Sequence, residues 1–282
     1  MSEERIEVAG LSVPGFMYGT AWKEDETARL VRLALEAGFR AIDTANQRKH
    51  YHEVGVGEAL QAAYADGLVQ RDDLFLQTKF THQAGQDERL PYDPKASLTT
   101  QVEQSFASSL EHLGTETLDS YVLHGPSSRS GLPEGDLEVW RAMEARHAAG
   151  QVRVLGVSNI SLEQLRLLCD AATVQPAFVQ NRCYANRGWG REVRAFCRER
   201  GIVYQGFSLL TANRSVLEHP TLTGLALRLG VTTSQVVFAF ARQVGMLPLT
   251  GTSSSNHMRQ DLEALSVQLE PADVAAIESV GA

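Results

Sequence analysis

Cysteine is scarce in this chain: Cys169, Cys183 and Cys197 are the three in 282 residues, an odd count with no CxxC spacing. A disulfide framework and a cysteine zinc site are therefore excluded. Positive charge is also short, 26 Lys and Arg against 34 Asp and Glu, for a net charge of −8. Nucleic acid and anionic membrane both want a basic face, so neither is expected as a partner. No apolar run approaches the ~18–20 residues that span a bilayer. The first eight residues, MSEERIEV, are acidic and lack an apolar stretch, so no secretory leader is read and a cytoplasmic location is expected. Internal repeats, low-complexity tracts and linker-like stretches are missing as well, which leaves 1–282 as one domain.

What is present is a 43% hydrophobic chain, enough to bury a sizeable core. Eight short apolar runs alternate with longer helical patterns: 16–21, 40–45, 74–80, 120–125, 152–159, 177–183, 203–208 and 246–251. Near-continuous rather than alternating apolar runs fit parallel strands covered by helices. Over 96–114, Leu98, Val102, Phe106, Leu110 and Leu113 recur at spacings of four and three, which marks one buried helical stripe. Ser161 with Gln164, and Thr232 with Gln235, read as capping boxes. Gly38, Gly114, Gly150, Gly201 and Gly245 stand where helices should end. Residues 6–14 read as a hairpin ahead of the first strand, and 270–280 as a last helix with Pro271 at its first position. Eight strand–helix units predict an α/β fold, a (β/α)8 TIM barrel; an open doubly wound sheet is the competitor. No GxGxxG follows the first strand, so a Rossmann phosphate loop is not expected.

Polar residues gather at one end of these strands. Asp43, Lys79 and His124 end the second, third and fourth, Ser158 and Asn159 end the fifth, and Gln180 lies in the sixth. A charge in an apolar strand needs a partner, and Asp43 and Lys79 on neighbouring strands supply one. Polar groups converging on one barrel mouth are the pattern of an active site.

The fragments GTAW (19–22), GFRAIDTA (38–45), VGEAL (56–60), TKF (78–80), LDSYVLHGP (118–126), GVSN (156–159), VQN (179–181), GFSLL (206–210) and GTS (251–253) come in the order and at the spacing of the aldo-keto reductase superfamily, which the chain resembles from first strand to last helix. The stretch around 47–51 is similar to a compact, bacterial-type subgroup containing QxKHY. The resemblance implies NAD(P)H-dependent reduction of aldehydes or ketones, with a catalytic Asp–Tyr–Lys–His set. Asp43, Lys79 and His124 match three members directly. The family's usual DTAxxYxNE pattern puts Arg48 at the tyrosine position without gaps, and His50 there with a two-residue insertion; Tyr51 is the tyrosine in the stretch and is preferred over His50 as proton donor. In that chemistry Lys79 would lower the Tyr pKa, ordinarily about 10, Asp43 would aim Lys79, and His124 would orient the carbonyl.

The resemblance also implies where a cofactor sits. Gly19, Thr20, Ala21 and Asp43 would line its channel; Ser158, Asn159 and Gln180 would take the carboxamide; Phe207 would cover the nicotinamide. Ser208, Leu210, Gly251, Thr252 and Ser253 would face the phosphates, beside a helix beginning near Asn256. At the adenosine end Gly251 and His257 replace a family Lys and Arg, while Gln260 and Asp261 match an adenine-contacting pair. NADPH is preferred, with NADH possible. Trp22, His50, Tyr51 and His124 are the substrate-facing candidates. Gly125-Pro126 replaces a common Trp-Pro, and the chain ends eleven residues after Pro271, so an open, permissive pocket is expected for a small carbonyl substrate. Three other readings compete or attach. A cofactor-binding regulatory subunit with little turnover is the alternative function, a metal-dependent hydrolase using His124 and Asp43 a third. No metal is expected, since His50, His52 and Glu53 lack a second cluster to complete a shell. A monomer with buried, inert thiols completes the expectation.

Overall fold

The computed structural model describes residues 4–280. The chain begins with an antiparallel hairpin, β1 (Arg5–Val8) and β2 (Leu11–Pro14). Eight strands then close a parallel barrel: β3 (Met17–Gly19), β4 (Ala41–Asp43), β5 (Phe75–Phe80), β6 (Leu118–Leu123), β7 (Val152–Ser158), β8 (Phe178–Arg182), β9 (Val203–Phe207) and β10 (Met246–Thr250), with β10 returning to β3. Seven fall inside the runs read from the sequence, trimmed at their ends; β6 begins two residues ahead of its run at 120–125, with Leu118 and Asp119. Closure rules out the open sheet.

The helices α1 (Thr27–Ala37), α2 (Glu53–Ala65), α3 (Leu98–Leu113), α4 (Glu134–Ala148), α5 (Leu162–Ala171) and α6 (Arg191–Glu199) lie outside the barrel in turn. They are followed by α7 (Arg214–Leu217), α8 (Pro220–Leu229), α9 (Thr233–Gln243), α10 (Ser255–Glu263) and α11 (Pro271–Ser279). The stripe on α3 buries Val102, Phe106 and Leu113, with Leu98 and Leu110 packed at its margin. Ser97 caps its first turn through Thr100 N, and Gly114 closes it in the left-handed region at φ 61°, where a Cβ would be strained. Both expected capping boxes form reciprocally, at Ser161/Gln164 and Thr232/Gln235. No single helix among the described residues is long and apolar enough to cross a membrane.

Apolar side chains form two clusters. The larger fills the space between barrel and helices. The smaller lies inside the barrel, where Met17, Ala41, Phe75, Phe178 and Leu247 pack against Val8, Leu11 and Val13 of the hairpin. The hairpin thus plugs the N-terminal end. Its turn, Ala9-Gly10, has φ of 49° and 78°, the both-positive geometry that matches strand twist in two-residue loops. With that floor sealed, the opposite mouth is the open one. The loops that follow the barrel strands converge there.

Candidate active site

Asp43 is the last residue of β4 and pairs in register with Gln77 of β5; Lys79, two residues on, shares the inward face of β5. Both charges are buried, Lys79 fully. Lys79 Nζ donates to Asp43 Oδ1 at 2.7 Å, to Oδ2 at 2.8 Å and to Thr44 O at 2.8 Å, so all three ammonium protons are committed. Asp43 Oδ1 also accepts from Gln77 Nε2 at 2.7 Å and Gln180 Nε2 at 3.1 Å. Behind them Gln205 Oε1 accepts from both amides, and Gln205 Nε2 donates to Gln77 Oε1. These buried amides form a polar layer between the apolar floor and the mouth. They satisfy the carboxylate on the sides that Lys79 leaves open, which is what makes a buried ion pair tolerable.

Two rings flank this pair. The Tyr51 ring centroid lies 5.1 Å from Lys79 Nζ and 5.8 Å from the His124 ring, edge to face. Burial, and then the Asp43 carboxylate, push the Tyr51 phenol well above its ordinary value, so the tyrosine holds its proton. With Lys79 paired to Asp43, burial outweighs the lowering expected from the ammonium in the resting site. Burial and the Lys79 charge hold His124 well below the usual histidine value, so its imidazole is neutral. Its Nδ1 lies 2.7 Å from Thr81 Oγ1. Burial also lowers Lys79, with Asp43 opposing. His50 sits apart from the pair, its Nδ1 2.8 Å from Gln47 Oε1 and its ring 4.0 Å from that of Trp22.

A cleft of about 980 Å³ opens over this set. Asp43, His50, Tyr51 and His124 line it, with Trp22 as a lining residue 70% exposed to solvent. Gly19, Ala21, Ser158, Asn159, Gln180, Phe207, Ser208, Leu210, Gly251, Thr252 and Ser253 line it as well. Thr20 does not face it: fully buried, its Oγ1 donates to Asp43 O at 3.0 Å. His257, Gln260 and Asp261 also stand outside the lining. Asp261 is buried, accepts from Thr250 Oγ1 at 2.8 Å, and burial raises its carboxyl to about 6. Ser158 Oγ donates to Gln180 O at 2.6 Å, and Asn159 Nδ2 to His124 O at 2.8 Å. Three non-glycine residues of the lining, Trp22, Asn159 and Ser208, hold positive φ of 63°, 51° and 56°. Such strain collects where surrounding structure enforces a function-bearing geometry.

The lining also contains cations that the sequence argument missed. Lys23, Arg29 and Arg182 all face the cleft. Lys23 Nζ donates to Gly251 O, and a Cβ on Gly251 would lie 3.7 Å from that nitrogen. The ammonium therefore lies in contact distance of where a side chain at 251 would begin. Only spacing across two distant loops unites them, so no local pattern reveals it. Gln77 and Gln205 were missed too, although each is a lone amide in an apolar strand, two residues before a cleft or charge residue.

Trp189, His82 and the cysteines all lie outside the cleft lining. Trp189 is fully buried, its ring 5.1 Å from Phe240 and its Nε1 donating to Ile277 O. His82 turns into a pair with buried Asp136 at 2.8 Å. All three cysteines are free and buried, and burial pushes Cys183 and Cys197 up to about 12, so they stay thiols.

The profile of the Aldo/keto reductase family matches residues 13–282. The chain belongs to that family. It is similar to an aldo-keto reductase of Mycobacterium sp. (strain JLS), 29% identical over 276 residues, covering 96% of this chain and 90% of the relative. Among solved structures, an aldo/keto reductase from Brucella melitensis superposes with a TM-score of 0.84 at 25% identity, covering 99% of this chain and 100% of that one. An aldo-keto reductase of Bombyx mori in complex with NADP superposes with a TM-score of 0.83 at 25% identity, covering 99% and 92%.

Proposed function

We propose that this chain reduces small aldehydes and ketones to alcohols with NADPH, using NADH less well, as a single-domain monomer of the cytoplasm. The observation that carries the reading is the fully buried Lys79 bound to Asp43 beneath the Tyr51 and His124 rings at the base of an open cleft. Nothing about barrel stability calls for a lysine there, since an ion pair in the interior does no better than apolar packing.

A nicotinamide cofactor supplies the hydride when bound. The cleft fits one: it lies at the upper end of the roughly 300–1,000 Å³ of ligand sites, and carries amide, hydroxyl and cationic groups along its length. Ser158, Asn159 and Gln180 would hold the carboxamide and Phe207 would cover the ring. Ser208, Leu210, Gly251, Thr252 and Ser253 would follow the phosphates towards the N-terminus of α10. The bound NADP of the Bombyx mori relative supports this choice. Lys23 answers the missing basic residue at Gly251 and tips the preference towards the extra phosphate of NADPH.

The substrate carbonyl lies between Tyr51 and His124, and Trp22 and His50 wall the approach. Neutral His124 donates a hydrogen bond to its oxygen and fixes the face presented to the nicotinamide. The phenol of Tyr51 gives its proton to that oxygen as negative charge builds there. The nearby Lys79 ammonium makes the phenolate affordable, and Asp43 with its amides keeps that ammonium charged and aimed. The continuous Asp43–Lys79 pair and the protonated Tyr51 favour turnover over a regulatory cofactor-binding role.

A panel of aliphatic, aromatic and keto-ester carbonyls, followed by NADPH oxidation, tests the reading. Broad turnover is expected; tight NADPH binding with no oxidation on any substrate would favour the regulatory reading instead. In the same protein, Lys23→Met should weaken NADPH binding about tenfold and NADH binding less, measured by fluorescence titration.

A further inference from the structure

We propose that Thr81 is a positioning residue that fixes the tautomer of His124, placing the imidazole proton on Nε2 where the substrate oxygen needs it. The proposal rests on His124 acting as described above. Thr81 and His124 are the first residues beyond the paired ends of β5 and β6: Phe80 pairs with Leu123, and His124 N donates to Phe80 O at 2.8 Å. The register therefore sets the two side chains beside each other. Thr81 Oγ1 and His124 Nδ1 are 2.7 Å apart.

The direction of that bond follows from hydrogen counting. Thr81 is buried at 5% exposure, and among the described residues its hydroxyl has no other partner. A hydroxyl carries one proton and needs one acceptor. Were Nδ1 protonated, the hydroxyl could only accept, and its own proton would be buried without a partner, a costly state. Were Nδ1 bare, the hydroxyl donates and every group is satisfied. Nδ1 is then the acceptor, and Nε2 on the other edge of the ring carries the proton. The low basicity of His124 agrees with a neutral ring.

The hydroxyl is itself held. Thr81 O accepts from Tyr92 Oη at 2.7 Å and Gln86 Nε2 at 3.5 Å, which anchors the backbone from the loop that follows β5. A Cβ on Gly85 would lie 2.8 Å from Thr81 Cγ2, so the methyl rests against the Gly85 backbone and the branched side chain has little room to rotate.

The ring nitrogens of His124 in ¹⁵N-labelled full-length protein, read by long-range proton–nitrogen correlation, test this. The wild type should show an unprotonated Nδ1 and a protonated Nε2. Thr81→Val keeps the shape and loses the hydroxyl; it should mix the tautomers and lower kcat about tenfold, with the dissociation constant for NADPH unchanged. Thr81→Ser should restore both. Gly85→Ala keeps the hydroxyl but crowds its methyl, and should fall between, even if Thr81→Val folds poorly. A protonated Nδ1 in the wild type overturns the proposal, as does a Thr81→Val spectrum identical to it. A shifted tautomer with full turnover also overturns it; if His124→Gln is then equally active, the fault lies with the role given to His124 rather than with the bond.

Discussion

Tyr51 and His50 are neighbours in the chain, yet they meet different surroundings. Tyr51 faces the Lys79 ammonium and His124, whereas His50 lies against Trp22 with one nitrogen engaged by Gln47. Tyr51→Phe should therefore lower kcat by about 10²–10⁴, the range for losing a positioned proton donor. His50→Ala should cost less, mainly in KM, because it removes a wall. Steady-state kinetics of the two variants decide; near-normal turnover in Tyr51→Phe with loss in His50→Ala would reverse the roles. At this scale the chain was readable where a charge interrupts an apolar run, as at Asp43, Lys79 and His124. It was unreadable where chemistry depends on partners distant in sequence. Lys23 gains meaning only from Gly251, and Gln77 and Gln205 only from Asp43. Thr81 looked like any loop threonine until the register of β5 and β6 set it against His124.

Elements here are joined by contacts with little slack. Where α2 meets the end of α3, a Cβ on Gly57 would lie 1.9 Å from His112 O, which is backbone and cannot move aside. Gly57→Ala should cost about 3 kcal/mol or more by overpacking, seen as a lower urea midpoint. Gly224→Ala is the control: it lies in α8 with nothing within 4 Å, and should gain up to about 1 kcal/mol from helix propensity. The same junction holds an ion pair, His112 Nδ1 to Glu53 Oε2 at 3.1 Å, with Glu53 in the first turn of α2 and His112 in the last of α3. Each charge also suits its helix end. Glu53 raises the His112 pKa above its ordinary 6.5. A raised folded value means the stabilisation is complete below pH 6.5 and is lost as pH rises through the higher folded value. His112→Asn should remove that slope from unfolding free energies measured across this window, an effect of about 1 kcal/mol for a pair whose histidine is partly exposed and whose glutamate is buried. Helices and caps were legible in the sequence because 3.6-residue periodicity and capping chemistry are local. The Gly57 contact was not, since nothing in VGEAL says which carbonyl lies over it.

The whole molecule separates stability from chemistry along the barrel axis. Val13 is fully buried in the plug at the closed end, with Met17 and Phe178 in the same cluster, while the cleft opens at the other end. Val13→Ala should cost about 2 kcal/mol and lower the melting temperature by about 4 °C or more. It should leave kcat and the NADPH dissociation constant unchanged. A fall in kcat without a fall in melting temperature would contradict the division. The sequence by itself determined the number and order of strands, the helix caps, the hairpin, and the kinds of polar residue at the strand ends. Those are local consequences of period, turn chemistry and burial cost. Only the tertiary structure decided that the sheet closes, that Lys79 commits all its protons to Asp43 and Thr44, that Tyr51 rather than His50 meets that ammonium, and that Lys23 reaches Gly251. Each depends on strand register and loop convergence, which join residues far apart in the chain and leave no mark in any one segment.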